Sequence, residues 1–510
     1  MHYPLIEREK LEKRSLAIEL FGQRIHESQT LYEYLIEFLL VFISPKGWGD
    51  GDLSTKAFEF PEPKGVSEWT DKLYYAPTAR VALKRFIFFE RSKQENRFPV
   101  DEDAYSHTLE ALKRRIQVDI EGLTEDDALS ALQDLFYGFS AVIKARAWFA
   151  QFLLPLTPEL TFCESMGNAV NRKKIKWPTA TFRQIDAGFG FQQHDFLARG
   201  GEVYFLHLLR GLVDRPELKG RLEAGLRRLL INSFPQLTWL ARWIEDAWFE
   251  HVREIRDPGA EKIVITKTCE WIPEGYARRA GLACEELVRV LESEIPPLQK
   301  LDLLAKGIVL HILRMLHEQA VAVINDGRRP TWVVQIGTAP HSNMRKYSVD
   351  SYRACEEDFT RALDAQAARP SDITKDGGAG QGTPRPQQIK EGSRHSLRVF
   401  RRLGKDIGLV GPPKGTRMRF ALNEDLVKFL VISLVDPGAK TLLSEFLKKL
   451  YDHFGIVIGP EEARQAHLRL NADDFDLNRT EFQEMLKQCG FLRDLSDATS
   501  IVENPFGGTL

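Results

Sequence analysis

The sequence predicts a mainly α-helical, multi-domain protein: a helical body with minor β strands, a flexible linker and a C-terminal winged-helix-like domain. Three observations carry this. Apolar residues recur at three- and four-residue spacing through most of the first 325 positions. A glycine- and proline-rich stretch with almost no large apolar side chain divides the chain at 368–393. The residues after it give three helical patterns and then two short apolar runs around a polar turn, the order of a winged helix-turn-helix. A chain of 510 residues exceeds what one core organises. The expected divisions are an N-terminal helical region (1–153), an irregular basic segment plus a central helical domain (154–367), the linker (368–393), a basic segment (394–422) and the winged-helix-like domain (423–510).

Taken in order, residues 4–43 read as helix broken near Ser28. The loop that follows contains Gly47-Trp48-Gly49-Asp50-Gly51-Asp52, yet lacks the spaced ligands and closing glutamate of a calcium loop. Helices are expected over 78–92, 105–117 and 125–153, the last from the beat of Leu129, Leu132, Leu135, Phe136, Phe139, Val142 and Ile143. Periodicity then lapses over 154–201, where Arg172, Lys173, Lys174 and Lys176 form a basic knot. It resumes in helices over 202–212, 218–231, 235–255, 276–294 and 298–324, with strand-like runs at 262–266 and 332–336. Beyond the linker, Arg394, Arg398, Arg401, Arg402 and Lys405 fall on one helix. Asn423 caps the next helix, Pro437-Gly438 stops it, Gly455 ends the second, and a third runs from about Thr480 to Gly490.

Composition and charge exclude several classes. The chain is 43% hydrophobic and 28% charged with a formal net charge of −2, so affinity for nucleic acid must come from local patches. Five dispersed cysteines argue for a reducing compartment over a disulfide framework. Glu7, Arg8, Glu9, Lys10, Glu12, Lys13 and Arg14 leave no secretory signal to read. The apolar run Leu31–Ile43 holds Glu33 and Glu37 and is too short for a bilayer core of about 30 Å. A cytoplasmic protein without membrane contact is expected.

Charge also separates the two C-terminal segments. Residues 385–420 hold 10 basic and 2 acidic residues, whereas 421–510 hold 9 basic and 15 acidic, local nets of +8 and −6. On the third helix, Glu481 and Glu484 oppose Arg479 and Lys487, a poor face for phosphates. The acidic module therefore reads as a protein-docking domain. DNA or RNA is expected instead at Arg172, Lys173, Lys174 and Lys176 and at Arg394, Arg398, Arg401, Arg402 and Lys405.

No phosphate loop, dinucleotide fingerprint, nucleophile elbow or metal-ligand spacing is present, so no cofactor or metal is expected and no catalytic residue is named. Arg199-Gly200-Gly201-Glu202 opens a helix whose amides could receive an anion, although Gly-Gly before a helix is more often a turn. His311 and His317, six apart, diverge by about 120° on a helix and do not suit one metal. An enzyme would instead gather Glu164, Asp186, His194, Asp195 and Glu202 into a nuclease site within 154–202; a winged-helix DNA-binding regulator is the other alternative.

Three stretches, Arg146-Ala147-Trp148-Phe149-Ala150, Phe196-Leu197-Ala198-Arg199-Gly200-Gly201-Glu202, and the acidic end with Phe454-Gly455-Ile456-Val457-Ile458-Gly459, resemble large bacterial proteins of multi-gene antiphage defence systems, those of the methylation-associated type. The resemblance implies a component working beside an ATPase, a methyltransferase or a nuclease from neighbouring genes. It transfers no active-site residue. The expected function is a non-catalytic scaffold with nucleic-acid contact and a partner-docking winged helix.

Overall fold

The computed structural model describes residues 2–3, 15–22, 25, 29–49, 53–64, 69, 71–78, 80–90, 99–141, 151–164, 199–255, 266–269, 271–325, 327–337, 343–368, 385–415, 417–468, 471–496 and 499–507. Helix dominates them. The N-terminal part contributes α1 (Leu16–Phe21), α2 (Leu31–Ile43), α3 (Val81–Phe88), α4 (Pro99–Lys113) and α5 (Glu125–Gly138). The central part holds α6 (Gly200–Asp214), α7 (Lys219–Arg227), α8 (Pro235–Ile255), α9 (Ala280–Glu292), α10 (Pro297–Ile324) and α11 (Met344–Ala367). The C-terminal part holds α12 (Arg385–Asp406), α13 (Glu424–Leu434), α14 (Leu443–Phe454), α15 (Pro460–Gln465) and α16 (Ala472–Gln488).

Strands are short. They are β1 (His2–Tyr3), β2 (Lys46–Trp48), β3 (Leu73–Tyr75), β4 (Gln151–Phe152), β5 (Cys163–Glu164), β6 (Lys267–Thr268), β7 (Ile272–Pro273), β8 (Trp332–Val333), β9 (Val410–Gly411), β10 (Arg419–Phe420), β11 (Lys440–Leu442), β12 (Ile456–Val457), β13 (Leu492–Ser496) and β14 (Thr499–Glu503). They pair as two- and three-stranded patches between helices, such as β2-β3-β6 and β11-β14-β13.

The α10 helix is the axis of the body. Every residue from Leu303 to Val321 is buried, because α2, α6, α9, α11 and α13 all pack on it. A helix with apolar residues on several faces needs such enclosure, and its buried polar residues must find partners inside it. Among the described residues it is also the one helix long and apolar enough to cross a membrane, and most of its apolar window is buried against the protein itself. The α2 helix is fixed at its start by Glu33, whose carboxylate accepts the Thr30 amide proton at 2.6 Å.

Several expectations are corrected. The helix expected over 125–153 stops at Gly138: the Ala141 amide donates to Phe152 O and the Leu154 amide to Phe139 O, so backbone pairing outweighs the continuing apolar beat. The α11 helix went unread because its inward positions include Ser348, Cys355 and Asp358, which blur the periodicity. The helix expected from about Thr480 is α16, which starts eight residues earlier, at Ala472, capped by Asn471. A third strand, β11, joins the hairpin β13–β14. The end of the expected linker, 385–393, belongs to α12, while 369–384 lies outside the described residues.

The largest correction concerns the tether. The described residues of 423–510 are not set apart from the body; one continuous apolar core runs from Leu16 to Val502. The β12 strand pairs in parallel with β8, the Trp332 amide donating to Gly455 O at 2.8 Å and the Val334 amide to Val457 O at 3.1 Å. The Phe429 ring of α13 lies on Gly307 of α10, where a Cβ would stand 2.4 Å from it. Charged ties join the same surfaces: Arg289 Nε to Asp436 Oδ1 at 2.6 Å and Lys306 Nζ to Asp425 Oδ2 at 2.8 Å. On α16, Asp474, Asn478 and Glu481 share a face and turn it to the body. Asp474 accepts from the Asn343 amide, Asn478 Oδ1 from the Ile336 amide and Glu481 from the Gly337 amide.

Cleavage at a protease site engineered into 369–384 is therefore expected to leave 1–368 and the remainder associated, eluting together on gel filtration without denaturant. Separation into two folded species would contradict the shared core.

Candidate functional site

The most concentrated set of ionisable groups is buried where four helices meet. The α9 helix brings Glu286, α10 brings His311, Arg314 and Glu318, α6 brings His207, and α14 brings His453. Glu286 is 1% exposed, and both of its oxygens face imidazoles: His453 Nδ1 lies 2.5 Å from Oε1 and His311 Nε2 lies 3.0 Å from Oε2. Burial alone would favour the neutral acid. His311, by charge and hydrogen bond, and then His453 overcome it and hold the carboxyl well below the usual range.

Arg314 is fully buried, donating to His453 O at 3.1 Å and to His207 Nε2 at 2.9 Å. Because Arg314 only donates, His207 Nε2 must be the acceptor. His207 Nδ1–H then donates to Tyr276 O at 2.5 Å. Burial and the Arg314 charge push the His207 pKa well below its ordinary value, which agrees with this neutral tautomer. Arg279 closes the set, bonded to Glu318 at 3.2 Å and to His453 O at 3.0 Å. Two guanidiniums and two carboxylates thus share the interior with His311 and His453. Glu286, Arg314 and Arg279 each reach His453 of α14, by side chain or carbonyl, and this chemistry fastens α14 to α9 and α10.

His317, six residues from His311, belongs to a separate set. Its Nδ1 accepts from Trp332 Nε1 at 2.9 Å, and its Nε2 lies 3.2 Å from Asp358 Oδ2, while Arg328 reaches Asp358 Oδ1 at 2.7 Å. The two histidines diverge as their spacing requires. Among the described residues no group of three or more His, Cys, Asp or Glu is placed to hold a metal ion.

The Gly200-Gly201 turn serves packing. The Gly201 amide donates to Glu37 Oε2 at 2.9 Å, so its donor is already used inside the protein. A Cβ on Gly201 would lie 2.2 Å from Tyr34 O and 2.6 Å from Phe38 N, so only glycine lets α6 approach α2 this closely. Glu202 is buried beside Tyr75, whose hydroxyl donates to it at 2.5 Å, with Arg199 3.6 Å away. Of the carboxylates and histidine expected in a nuclease site, Asp186, His194 and Asp195 lie outside the described residues, Glu164 falls on β5, and Glu202 occupies this buried position.

The basic residues divide likewise. Arg172, Lys173, Lys174 and Lys176 lie outside the described residues. On α12, Ser396, Val399, Phe400 and Leu403 are buried, and Arg394, Arg398, Arg401 and Arg402 are exposed along the opposite face. Three of the expected contacts are engaged within the chain: Arg401 meets Glu356 at 2.8 Å, Arg402 lies 3.8 Å from Asp406, and Lys405 Nζ donates to Pro413 O at 3.2 Å. On α16, Arg479 is paired with Asp476 at 2.9 Å and Lys487 with Glu484 at 3.5 Å. Sequence reading missed the buried network because it joins four helices spread over some 250 positions, and each member alone looks like an ordinary core or surface residue.

No protein-family model, curated protein or solved structure matches the chain.

Two substitutions probe these arrangements. Gly201→Ala is expected to destabilise the protein by about 3 kcal/mol or more, since backbone faces the added methyl; a thermal melt within a degree or two of wild type would contradict the close approach. Glu286→Gln is expected to cost about 3–5 kcal/mol at pH 7, as for removing one partner of a buried pair. Its folded pKa is depressed, so the stability it contributes is present above its unfolded value of about 4 and is lost as pH falls below that. The gap between wild type and variant in denaturant titrations should narrow steadily from about pH 5 to pH 3. A gap independent of pH would show that Glu286 carries no charge.

Proposed function

We propose that the chain is a non-catalytic scaffold of a bacterial antiphage defence complex, which holds nucleic acid along the exposed face of α12 and docks a partner protein through its C-terminal part. The observation that carries the reading is the face of α12. A helix anchored by Val399, Phe400 and Leu403 presents Arg394, Arg398, Arg401 and Arg402 outward in a row. A fixed row of cations suits a phosphate backbone better than charges on a free tether, since less side-chain and backbone freedom is lost on binding.

The order of elements in 424–503, with helix, strand, two further long helices and a hairpin joined to that first strand, supports a winged helix. Its third long helix, α16, spends one face on the body, and its cations are paired with acids on the chain itself. That favours protein docking over DNA reading. The occupant is a protein of the same system: an ATPase, a methyltransferase or a nuclease. Cys269, Cys284, Cys355 and Cys489 are free thiols, which fits a cytoplasmic location.

Binding to DNA or RNA of mixed sequence is expected to weaken steeply over roughly 50 to 200 mM salt, as counterion release requires. Arg394→Glu/Arg398→Glu/Arg402→Glu should weaken it at least about tenfold and lower the slope of log affinity against log salt by about two or more. Equal affinity and slope in wild type and variant would remove α12 from the interface.

A further inference from the structure

The end of α12 leads to a second set of cations that the α12 row does not include. The α11 and α12 helices run antiparallel: Thr360 meets Ser393 at 3.0 Å, and Tyr352 packs on Phe400 with ring centroids 6.4 Å apart. The start of α11, with exposed Arg345, therefore lies towards the C-terminal end of α12. There β10 crosses the first turns of α11, Ser348 Oγ donating to Phe420 O at 2.6 Å. Met418 and Phe420 turn inward, which leaves Arg417 and Arg419 facing out.

This crossing puts Arg419 on the same edge of the protein as Arg345, which lies one turn before Ser348 on α11. Neither has an ion-pair partner among the described residues, and the Arg419 Nε is buried without an acceptor. Burial and the Arg345 charge both lower the hold of Arg419 on its proton. The Asp474 carboxylate of α16 accepts from the Asn343 amide and side chain and from the Tyr347 hydroxyl at the start of α11. Lys414 and Arg417, on the loop between β9 and β10, are exposed in the same neighbourhood, and Lys405 of α12 binds that loop at Pro413 O.

Two guanidiniums on one edge, neither with an ion-pair partner among the described residues, are an arrangement that a phosphate completes. Its oxygens take paired N–H donors from each, and its charge removes their repulsion. We propose that Arg345 and Arg419 clamp one phosphate group of a nucleic-acid strand whose path continues from the α12 row. The clamp rests on the nucleic-acid reading given above, and it adds residues from α11 and β10 to it. From Arg394 to Lys405 the row rises about 16 Å along α12, so the clamp extends the footprint around the end of that helix.

The test uses the full chain and a 3′-labelled oligonucleotide, single-stranded and duplex, each with and without a 5′-phosphate, followed by anisotropy across a salt series. Arg345→Gln/Arg419→Gln is expected to lower affinity at least tenfold and to reduce the salt slope by about one to two. Arg345→Gln alone, at an exposed position, should give part of the loss with an unchanged melting temperature, which separates binding from folding. Dependence of the loss on the 5′-phosphate would assign the clamp to a strand end; equal loss without it would assign an internal phosphodiester. Wild-type affinity and slope in both variants, with Arg394→Glu/Arg398→Glu/Arg402→Glu still impaired, would overturn the clamp and leave the α12 reading standing. No nucleic-acid binding by wild type, or binding of anionic phospholipid vesicles in its place, would overturn both.

Discussion

A carboxylate with no access to water has to be met by donors, and Glu286 is met from two directions at once. His311 comes from the central helix α10 and His453 from α14, in the part of the chain that its composition sets apart. Removing α14 would leave Glu286 half-satisfied and would strip the His453 carbonyl from Arg314 and Arg279, two cations that also lie in the interior. The cost of unpaired buried charge thus falls on both sides of the junction. It makes the C-terminal helices part of the body's core and gives the β8–β12 pairing and the polar face of α16 a fixed surface to meet.

That fixity bears on function. The linker composition suggested a module searching for its partner on a tether, whereas the shared core gives one platform with its charges in set positions. Acidic side chains on α16 are spent on backbone amides of the body or on neighbouring cations. Basic side chains accumulate on α12 and around β10. Segregation of this kind gives a chain whose net charge is close to zero local fields of both signs.

Much of the helical architecture was legible because apolar spacing and caps act locally. Asn423 accepts from the Leu426 amide at 2.8 Å, and Gly455 takes the left-handed conformation at φ 74°, as their positions in the sequence indicated. Local signals failed where tertiary pairing decided the outcome. Phe139 continues an apolar beat, yet its backbone joins a β contact with Leu154. The α11 helix buries Ser348 and Asp358 against specific partners, Phe420 O and His317, which no periodicity encodes. The basic row on α12 was readable as five cations at helical spacing. Its engagement with Glu356 and Pro413, and the crossing of β10 over the first turns of α11, depend on contacts between distant segments and were not readable.

Native-state hydrogen exchange at the junction tests the single-body account most directly. The amides of Trp332 and Val334 donate across it to Gly455 and Val457, and the interior amides of α10 report the opening of the body itself. If the C-terminal part is integral to the core, both sets should exchange with the same free energy of opening and the same dependence on denaturant. Exchange of Trp332 and Val334 through a smaller opening, with α10 still protected, would mean that the C-terminal helices undock as a unit.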